Sequence, residues 1–321
     1  MTTHRPFRFG VGNIGVQSRA EWVGHARKAE ALGYSSLWMG DHPSRGGLDV
    51  TVALMAAADA TTTLRVASHV FTNDFHNPVL LAQAAATLDL LSDGRLEFGL
   101  GAGWLRADYD ACALPFDPHA TRIARLEEAL QVIKGLWGEE AVPFTGRYYR
   151  VPELNPSTKP KQRPHPPIFI GGGGRRILTL AAREADIVGV NPKTSSAGAI
   201  DLTATTADAV DQQIAWIREA AGPRFPGLEL ETVAVAVKVT ENRQQGAEEV
   251  AASMASWPST FLSNPPTAEH ILTSPTCLVG TVEQMVEDLQ ARRERYGISY
   301  ISVFGEYVDV LSPVVARLAG T

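Results

Sequence analysis

Short apolar runs alternate with amphipathic segments along the whole chain. Runs such as Pro167–Ile170 and Ile187–Val190 have the length and composition of buried strands in a parallel sheet. Between the runs, apolar residues recur at steps of three and four, most clearly from Ile123 to Trp137, which predicts helices with one buried face. About eight such strand–helix units follow one another without a Ser/Gly linker, which predicts one α/β domain over residues 1–321, a (β/α)8 TIM barrel.

Local signals place the ends of these elements. Ser18–Glu21 and Thr281–Gln284 are capping-box patterns that predict helix starts, Asn77-Pro78 predicts another, and Gly33 predicts a helix end. The strands are predicted at 7–11, 35–39, 64–71, 95–100, 167–170, 187–190, 231–239 and 300–304. Segments that break the alternation are expected as insertions near 105–118, 139–166, 193–205 and 241–280. A doubly wound sheet has the same local alternation and is the alternative fold.

Composition and charge exclude several function classes. The chain is 45% hydrophobic and 20% charged, as in globular proteins, and its formal charge of −6 with no basic run argues against nucleic-acid binding. No apolar run approaches the roughly 18 residues of a membrane helix, and the start has no apolar signal core, so a cytoplasmic soluble protein is expected. Two cysteines and eight histidines without ligand spacing predict no disulfide framework and no metal site.

Two glycine-rich segments follow predicted strands. Gly10–Gly15 matches G-x-G-x-x-G, but its helix starts only near residue 19, so packing at a barrel mouth is favoured over dinucleotide binding. Gly171–Gly174 lies directly between a strand and a helix start. Consecutive glycines at a helix N-terminus let backbone N–H groups approach a phosphate, although a tight turn is the alternative.

Polar residues cluster where other strands end, which is the functional face of a barrel. His42 ends the second unit and is a candidate proton donor or acceptor, and Asp41 could orient it or bond the backbone; a structural role is the alternative. The segment 68–74 places further polar residues at a strand end, where they could belong to the site; an ordinary loop is the alternative. The glycines of 99–103 leave space for a flat ligand beside Trp104, or are filled by neighbouring side chains.

Taken in order, these segments resemble the bacterial luciferase-like superfamily of flavin- and deazaflavin-dependent oxidoreductases. The resemblance covers almost the whole chain and rests on 38–42, 86–95, 99–104, the helix 122–137 and 167–176. Two more segments, 73–78 and 184–186, are most similar to the subgroup that uses the deazaflavin coenzyme F420.

The resemblance implies an isoalloxazine or deazaflavin ring at the C-terminal mouth and its phosphate at the Gly171–Gly174 loop. It implies a non-prolyl cis peptide at His69–Val70 or Val70–Phe71, behind the central ring. The implied cofactor-binding residues are Asp41, His69, Val70, Phe71, Thr72, Ala102, Gly103, Trp104, Gly172, Gly173, Gly174 and Arg175, and the implied catalytic residue is His42. The sugar-phosphate dehydrogenase branch has a catalytic Glu where this chain has Trp104, which argues against the same sugar oxidation.

The predicted function is hydride transfer between C5 of F420 and a small organic substrate, with His42 handling a proton. The alternative is an FMN-dependent monooxygenase that uses O2 and reduced flavin delivered by a separate reductase. A non-catalytic flavin-binding protein is a further alternative, but it is expected to lack either the histidine or the phosphate loop. The resemblance also predicts a homodimer.

Overall fold

Eight parallel strands close into a barrel in the order of the chain. The computed structural model describes residues 5–12, 14–140, 143–195 and 198–321. Within them, each strand pairs with the next, and the last pairs with the first. The strands are β1 Arg8–Gly12, β2 Ser36–Met39, β3 Arg65–Ser68, β4 Leu96–Gly101, β5 Ile168–Gly172, β6 Ile187–Val190, β7 Glu229–Ala234 and β8 Ile298–Val303. The TIM-barrel prediction is therefore confirmed, and the doubly wound alternative is wrong because the sheet has no free edge.

Helices follow the strands and form the outer layer. They are α1 Arg19–Ala31, α2 Val50–Ala60, α3 Pro78–Leu91, α4 His119–Trp137, α5 Arg175–Glu184, α6 Ala207–Ala221, α7 Val282–Tyr296 and α8 Ser312–Leu318. The predicted caps are present at the starts of α1 and α7. The Ser18 side chain accepts a hydrogen bond from the Glu21 N–H, and Thr281 and Gln284 form both hydrogen bonds of a capping box. None of the helices of the described ranges is long and apolar enough to cross a membrane.

Two predicted strands are divided in the structure. The run 231–239 is not one strand, because β7 ends at Ala234 and Ala236–Val239 pairs with Cys277–Gly280 in a separate parallel sheet. The third strand ends at Ser68, and Phe71–Thr72 then pairs with the end of β4. Between these two pieces the His69–Val70 peptide is cis, at the first of the two predicted positions.

The insertions form a cap on the side of the barrel where the strands end. Ile200–Asp201, which follows β6, pairs with Leu262–Asn264, which follows β7. The insertion that follows β7 also carries the helices Arg243–Ala255 and Ala268–Thr273. Both contribute to a second small core, which includes Leu202, Met254, Leu262, Ile271 and Cys277. The other insertions hold the helix Arg106–Ala111 and the hairpin of Phe144–Thr145 with Arg150–Val151, and short 3₁₀ helices lie at Pro43–Arg45, Asn73–Phe75, Leu202–Ala204, Gly222–Gly227 and Gly305–Tyr307.

A charged layer fills the opposite, N-terminal end of the barrel. Arg8 pairs with Glu97 (Nη1 to Oε1, 2.5 Å) and with Glu229 (Nε to Oε1, 2.7 Å), and its guanidinium lies 3.8 Å from the centre of the Tyr300 ring. Arg65 also pairs with Glu97 (Nε to Oε1, 2.7 Å). Burial opposes ionisation of Glu97, but the two arginines outweigh it and lower its pKa. The charged groups at this end pair with one another. In a TIM barrel the active site lies at the other end, where the strands end.

Candidate active site

A histidine–carboxylate pair lies at the end of β2. The Nδ1 atom of His42 is 2.7 Å from Oδ2 of Asp108, which is buried on the short helix Arg106–Ala111. The other carboxylate oxygen accepts from the Ser44 backbone N–H at 3.1 Å and from its hydroxyl at 2.5 Å. Burial works against the charged form of Asp108, but the hydrogen bonds from His42 and Ser44 outweigh it and lower its pKa. An ionised Asp108 therefore holds the Nδ1–H of His42 and leaves Nε2 free.

The free edge of His42 borders the cis peptide. Gly40 lies between them: a Cβ atom built on it would be 3.3 Å from Nε2 of His42 and 3.4 Å from the His69 carbonyl oxygen. The Trp104 ring meets the His42 ring edge-on, with 5.7 Å between the centroids, and contacts Phe261 of the cap at 5.8 Å. The predicted residues His42, His69 and Trp104 are thus brought together at one mouth.

Asp41 does not orient His42. Its Oδ2 atom accepts from the Thr72 backbone N–H at 3.1 Å and pairs with Nε2 of His76 at 2.7 Å. Of the two roles weighed from the sequence, Asp41 takes the backbone one and fastens the segment that follows the cis bond. A contact between Asp41 and a cofactor stays a prediction.

The glycines of β4 are explained by packing inside the protein. A Cβ on Gly99 would lie 2.0 Å from the Ser68 carbonyl oxygen, and one on Gly101 would lie 2.5 Å from Cγ2 of Val70. Gly103 has a φ of +73° and faces the Tyr109 hydroxyl. Neighbouring segments of the protein fill the side-chain space at these three glycines, which favours the packing interpretation weighed from the sequence. A contact of Ala102 or Gly103 with a cofactor stays a prediction. Phe71 and Ala102 lie on the same two adjoining segments, Phe71 buried and Ala102 partly buried.

The glycine run after β5 has an open backbone at the helix start. Gly172 ends β5, and α5 begins at Arg175. Gly174 is the N-cap residue, and no side chain accepts a hydrogen bond from the free N–H groups of this helix start. A Cβ on Gly174 would meet nothing within 4 Å. The Arg175 side chain is exposed and pairs with Glu219 at 3.1 Å, and no side chain caps the backbone N–H groups at this helix start. Backbone donors of this kind suit a phosphate.

The same loop is held from behind. A Cβ on Gly173 would lie 2.6 Å from the backbone N of Lys193, so this glycine is needed for close approach of two chain segments. Gln213, buried on α6, donates through Nε2 to the carbonyls of Gly173 (3.1 Å) and Asn191 (3.0 Å). The loop therefore has a fixed inner side and an open outer side, which is the form of an anion cradle.

The first glycine motif is not such a cradle. A Cβ on Gly10 would lie 2.8 Å from the Ser36 hydroxyl, and one on Gly12 would lie 2.7 Å from the Trp38 ring. The helix starts at Arg19, well after the motif. Asn13 of this motif lies outside the described residues. Packing thus accounts for Gly10 and Gly12, as favoured from the sequence, whereas a Cβ on Gly15 would meet nothing within 4 Å.

Sequence reasoning missed Asp108, Ser44 and Gln213. Asp108 lies in the 105–118 insertion, which has no recognisable motif, and only the fold brings it to His42. Two cavities of about 450 and 370 Å³ lie away from His42; the larger is lined by Asp74, His76, Arg125 and Tyr149, and the smaller lies at the charged end.

Two curated relatives show what the sequence is similar to. The F420-dependent glucose-6-phosphate dehydrogenase of Amycolatopsis mediterranei is 32% identical over 186 residues, which are 54% of this chain and 55% of that protein. The FMNH2-dependent dimethylsulfone monooxygenase of Pseudomonas putida is 34% identical over 137 residues, 43% of this chain and 37% of that protein. The chain thus spans about half the length of the first relative and less of the second.

A solved structure and a family model extend the likeness to the whole barrel. An F420-dependent secondary alcohol dehydrogenase, in complex with an F420–acetone adduct, superposes with a TM-score of 0.76 at 19% identity, over 98% of this chain and 99% of that one. At this identity the likeness shows the fold. The model of the luciferase-like monooxygenase family matches residues 3–299. The resemblance inferred from the motifs is therefore confirmed, and the chain belongs to the luciferase-like monooxygenase family.

Proposed function

We propose that this protein is an F420-dependent oxidoreductase that transfers a hydride between C5 of the deazaflavin and a small organic substrate. The observation that carries the proposal is the Asp108–His42 pair, which presents a free Nε2 beside the cis peptide at the barrel mouth. The F420-dependent relatives named above support the choice of coenzyme.

The residues present fit such a coenzyme. The backbone N–H groups of Gly173, Gly174 and Arg175 would hold its phosphate, because the helix start is open and no side chain caps it. The cis segment from His69 to Thr72 would back the ring, with Ala102, Gly103 and Trp104 beside it. Bound there, a deazaflavin supplies a ring carbon that takes up or gives a hydride.

His42 is proposed to handle the proton that accompanies the hydride. For a hydroxyl substrate, the hydride leaves the carbon with both electrons of its bond, and Nε2 of His42 accepts the hydroxyl proton, so that a carbonyl remains. The ionised Asp108 stabilises the imidazolium that forms and keeps the ring in one orientation. Trp104 and Phe261 contact each other at the mouth and would shield the bound ring from water.

An FMN-dependent monooxygenase is the second candidate, and the Pseudomonas putida relative favours it. In that case a separate reductase would supply reduced flavin, and the same cradle would hold the FMN phosphate. The small-molecule substrate, a cytoplasmic location and the homodimer belong to the proposal in either case. Exposed apolar side chains on α2 and α3, such as Val52 (70% exposed) and Leu80 (65%), support a dimer.

Fluorescence titration of the purified protein with F420 and with FMN tests the proposal. We expect tighter binding of F420, and we expect Gly174→Val to weaken it at least about tenfold because the side chain covers the open N–H groups. Gly15→Val is the matched control, since a Cβ there also meets nothing within 4 Å. Tighter binding of FMN would favour the monooxygenase. Loss of binding in the Gly15 variant alone would contradict the cradle.

A further inference from the structure

A second histidine–carboxylate pair lies inside the barrel, below the mouth. Glu231 projects from β7, its side chain is completely buried, and neither carboxylate oxygen has a hydrogen-bond partner among the described residues. Nε2 of His69 lies 3.4 Å from Oε1, within ion-pair distance. That nitrogen is also buried, and it too has no hydrogen-bond partner within the described residues, so the two groups face each other without a formed hydrogen bond.

A buried carboxylate needs a donor. A buried carboxylate without a hydrogen-bond donor is unfavourable, so buried charges in native proteins are paired. Roughly nine in ten buried polar groups have a hydrogen-bond partner. The Tyr300 hydroxyl is already engaged with Ser36 at 2.5 Å and with Glu97 at 3.3 Å. Trp38 Nε1 and Ser302 Oγ are also buried without hydrogen-bond partners, and within the described residues no hydrogen bond joins either of them to Glu231. His69 is thus the donor that the structure offers to Glu231.

The His69 ring is held so that its other edge faces outward. It packs between Trp38 and Phe169, with ring centroids 4.9 and 4.5 Å away. Nε2 is fully buried, yet the side chain keeps 13% of its surface exposed. Nδ1 has no hydrogen bond within the described residues and is not among the buried unpartnered atoms, so it belongs to the exposed part of the residue where the cis peptide begins.

We propose that Glu231 is a positioning residue that binds the Nε2–H of His69 and thereby presents Nδ1 of His69 at the floor of the mouth as a hydrogen-bond acceptor for an N–H or O–H group of the bound ring. The inference rests on the proposed function and extends it, because it assigns a contact to the His69 side chain in addition to its backbone. The protein then has two such pairs of opposite sense: Asp108 holds Nδ1 of His42 and frees Nε2, whereas Glu231 holds Nε2 of His69 and frees Nδ1.

Nitrogen NMR of protein labelled in its histidines tests this sense directly, with His69→Gln used to assign the signals. In the free wild-type protein we expect His69 to carry its proton on Nε2 and His42 on Nδ1. In Glu231→Leu and Glu231→Gln we expect the His69 proton to distribute over both nitrogens while His42 is unchanged. Asp108→Asn is the matched control and should move His42 alone. A proton on Nδ1 of wild-type His69, or a His69 tautomer unaffected by either Glu231 variant, would overturn the pairing.

Titration with FMN and with F420 separates this inference from the proposed function. When a coenzyme binds, we expect the Nδ1 signal of His69 to shift, and we expect both Glu231 variants to bind it about three- to tenfold more weakly, the effect of one hydrogen bond. Binding without a shift at Nδ1, or with unchanged affinity in the variants, contradicts the assigned contact. If wild-type protein binds neither coenzyme, the proposed function fails, and the assigned contact fails with it.

Discussion

Replacing Asp108 by Asn tests the pair at the mouth. Three donors converge on the two oxygens of this carboxylate: His42 Nδ1 and both the N–H and the hydroxyl of Ser44. An amide has one oxygen, and its NH2 group must face one of these donors. Either a Ser44 donor then loses its partner in a buried place, or His42 moves its proton to Nε2 and accepts from the amide. In both cases the charge-assisted hydrogen bonds of the carboxylate are lost, which costs about 1–3 kcal/mol of folding stability at neutral pH.

The sign of the pH dependence follows from the lowered pKa of Asp108. The folded state binds the proton less readily than the unfolded chain, whose Asp has a pKa of 3.8. The stabilisation is therefore fully present above that value and is lost as the pH falls through the lower pKa of the folded state. Urea unfolding of wild type and variant should show the full difference at neutral pH and a shrinking difference in acid.

We expect Asp108→Asn to lower the turnover rate by more than the loss of folding stability alone would explain. Without the anion, His42 loses both its fixed tautomer and the charge that stabilises its imidazolium, and we expect about a hundred- to ten-thousandfold loss of hydride transfer with little change in coenzyme affinity. Asp110→Asn on the same helix is the matched control, because the Asp110 side chain is 62% exposed and pairs with Arg106 across one turn. Equal stability and equal turnover in the Asp108 and Asp110 variants would refute the reasoning.

Three other regions give further predictions. Gln213→Leu frees the carbonyls of Gly173 and Asn191, so coenzyme affinity in a fluorescence titration should fall about tenfold; unchanged affinity would mean that the loop holds its shape without this clamp. Burial opposes ionisation of Glu30, but the N–H groups of residues 62–64 lower its pKa to about 2. Glu30→Gln should therefore cost about 1 kcal/mol at neutral pH, after allowance for solvent screening, and this cost should disappear as the pH falls below the pKa of the folded state; a pH-independent difference in unfolding would count against this. Light scattering should find a dimer, and Val52→Glu should yield monomers of unchanged fold.

The fold was predictable because its elements depend on local sequence patterns. Strand–helix alternation and caps such as Thr281–Gln284 depend on residues close in sequence, and the structure reproduces them. The run 231–239 was misassigned because it is apolar throughout, and periodicity does not show that a chain leaves one sheet for another after Ala234.

The site was predictable only in part. His42, His69 and Trp104 follow strands and could be located from the barrel rule alone. Asp108 and Glu231 act through contacts with residues 66 and 162 positions away, and no spacing in the sequence indicates such pairs. The glycines of β4 gave two equally good interpretations, because the same absence of a side chain admits a ligand or a neighbouring strand.

A crystal structure of the protein with F420 tests the central claim most directly. The account predicts the coenzyme phosphate on the backbone N–H groups of Gly174 and Arg175, and the deazaflavin ring on the His69–Val70 peptide with C5 open to the side of His42 Nε2. Density for the coenzyme beside Gly12 and Gly15, with no ligand at the loop after β5, would contradict it.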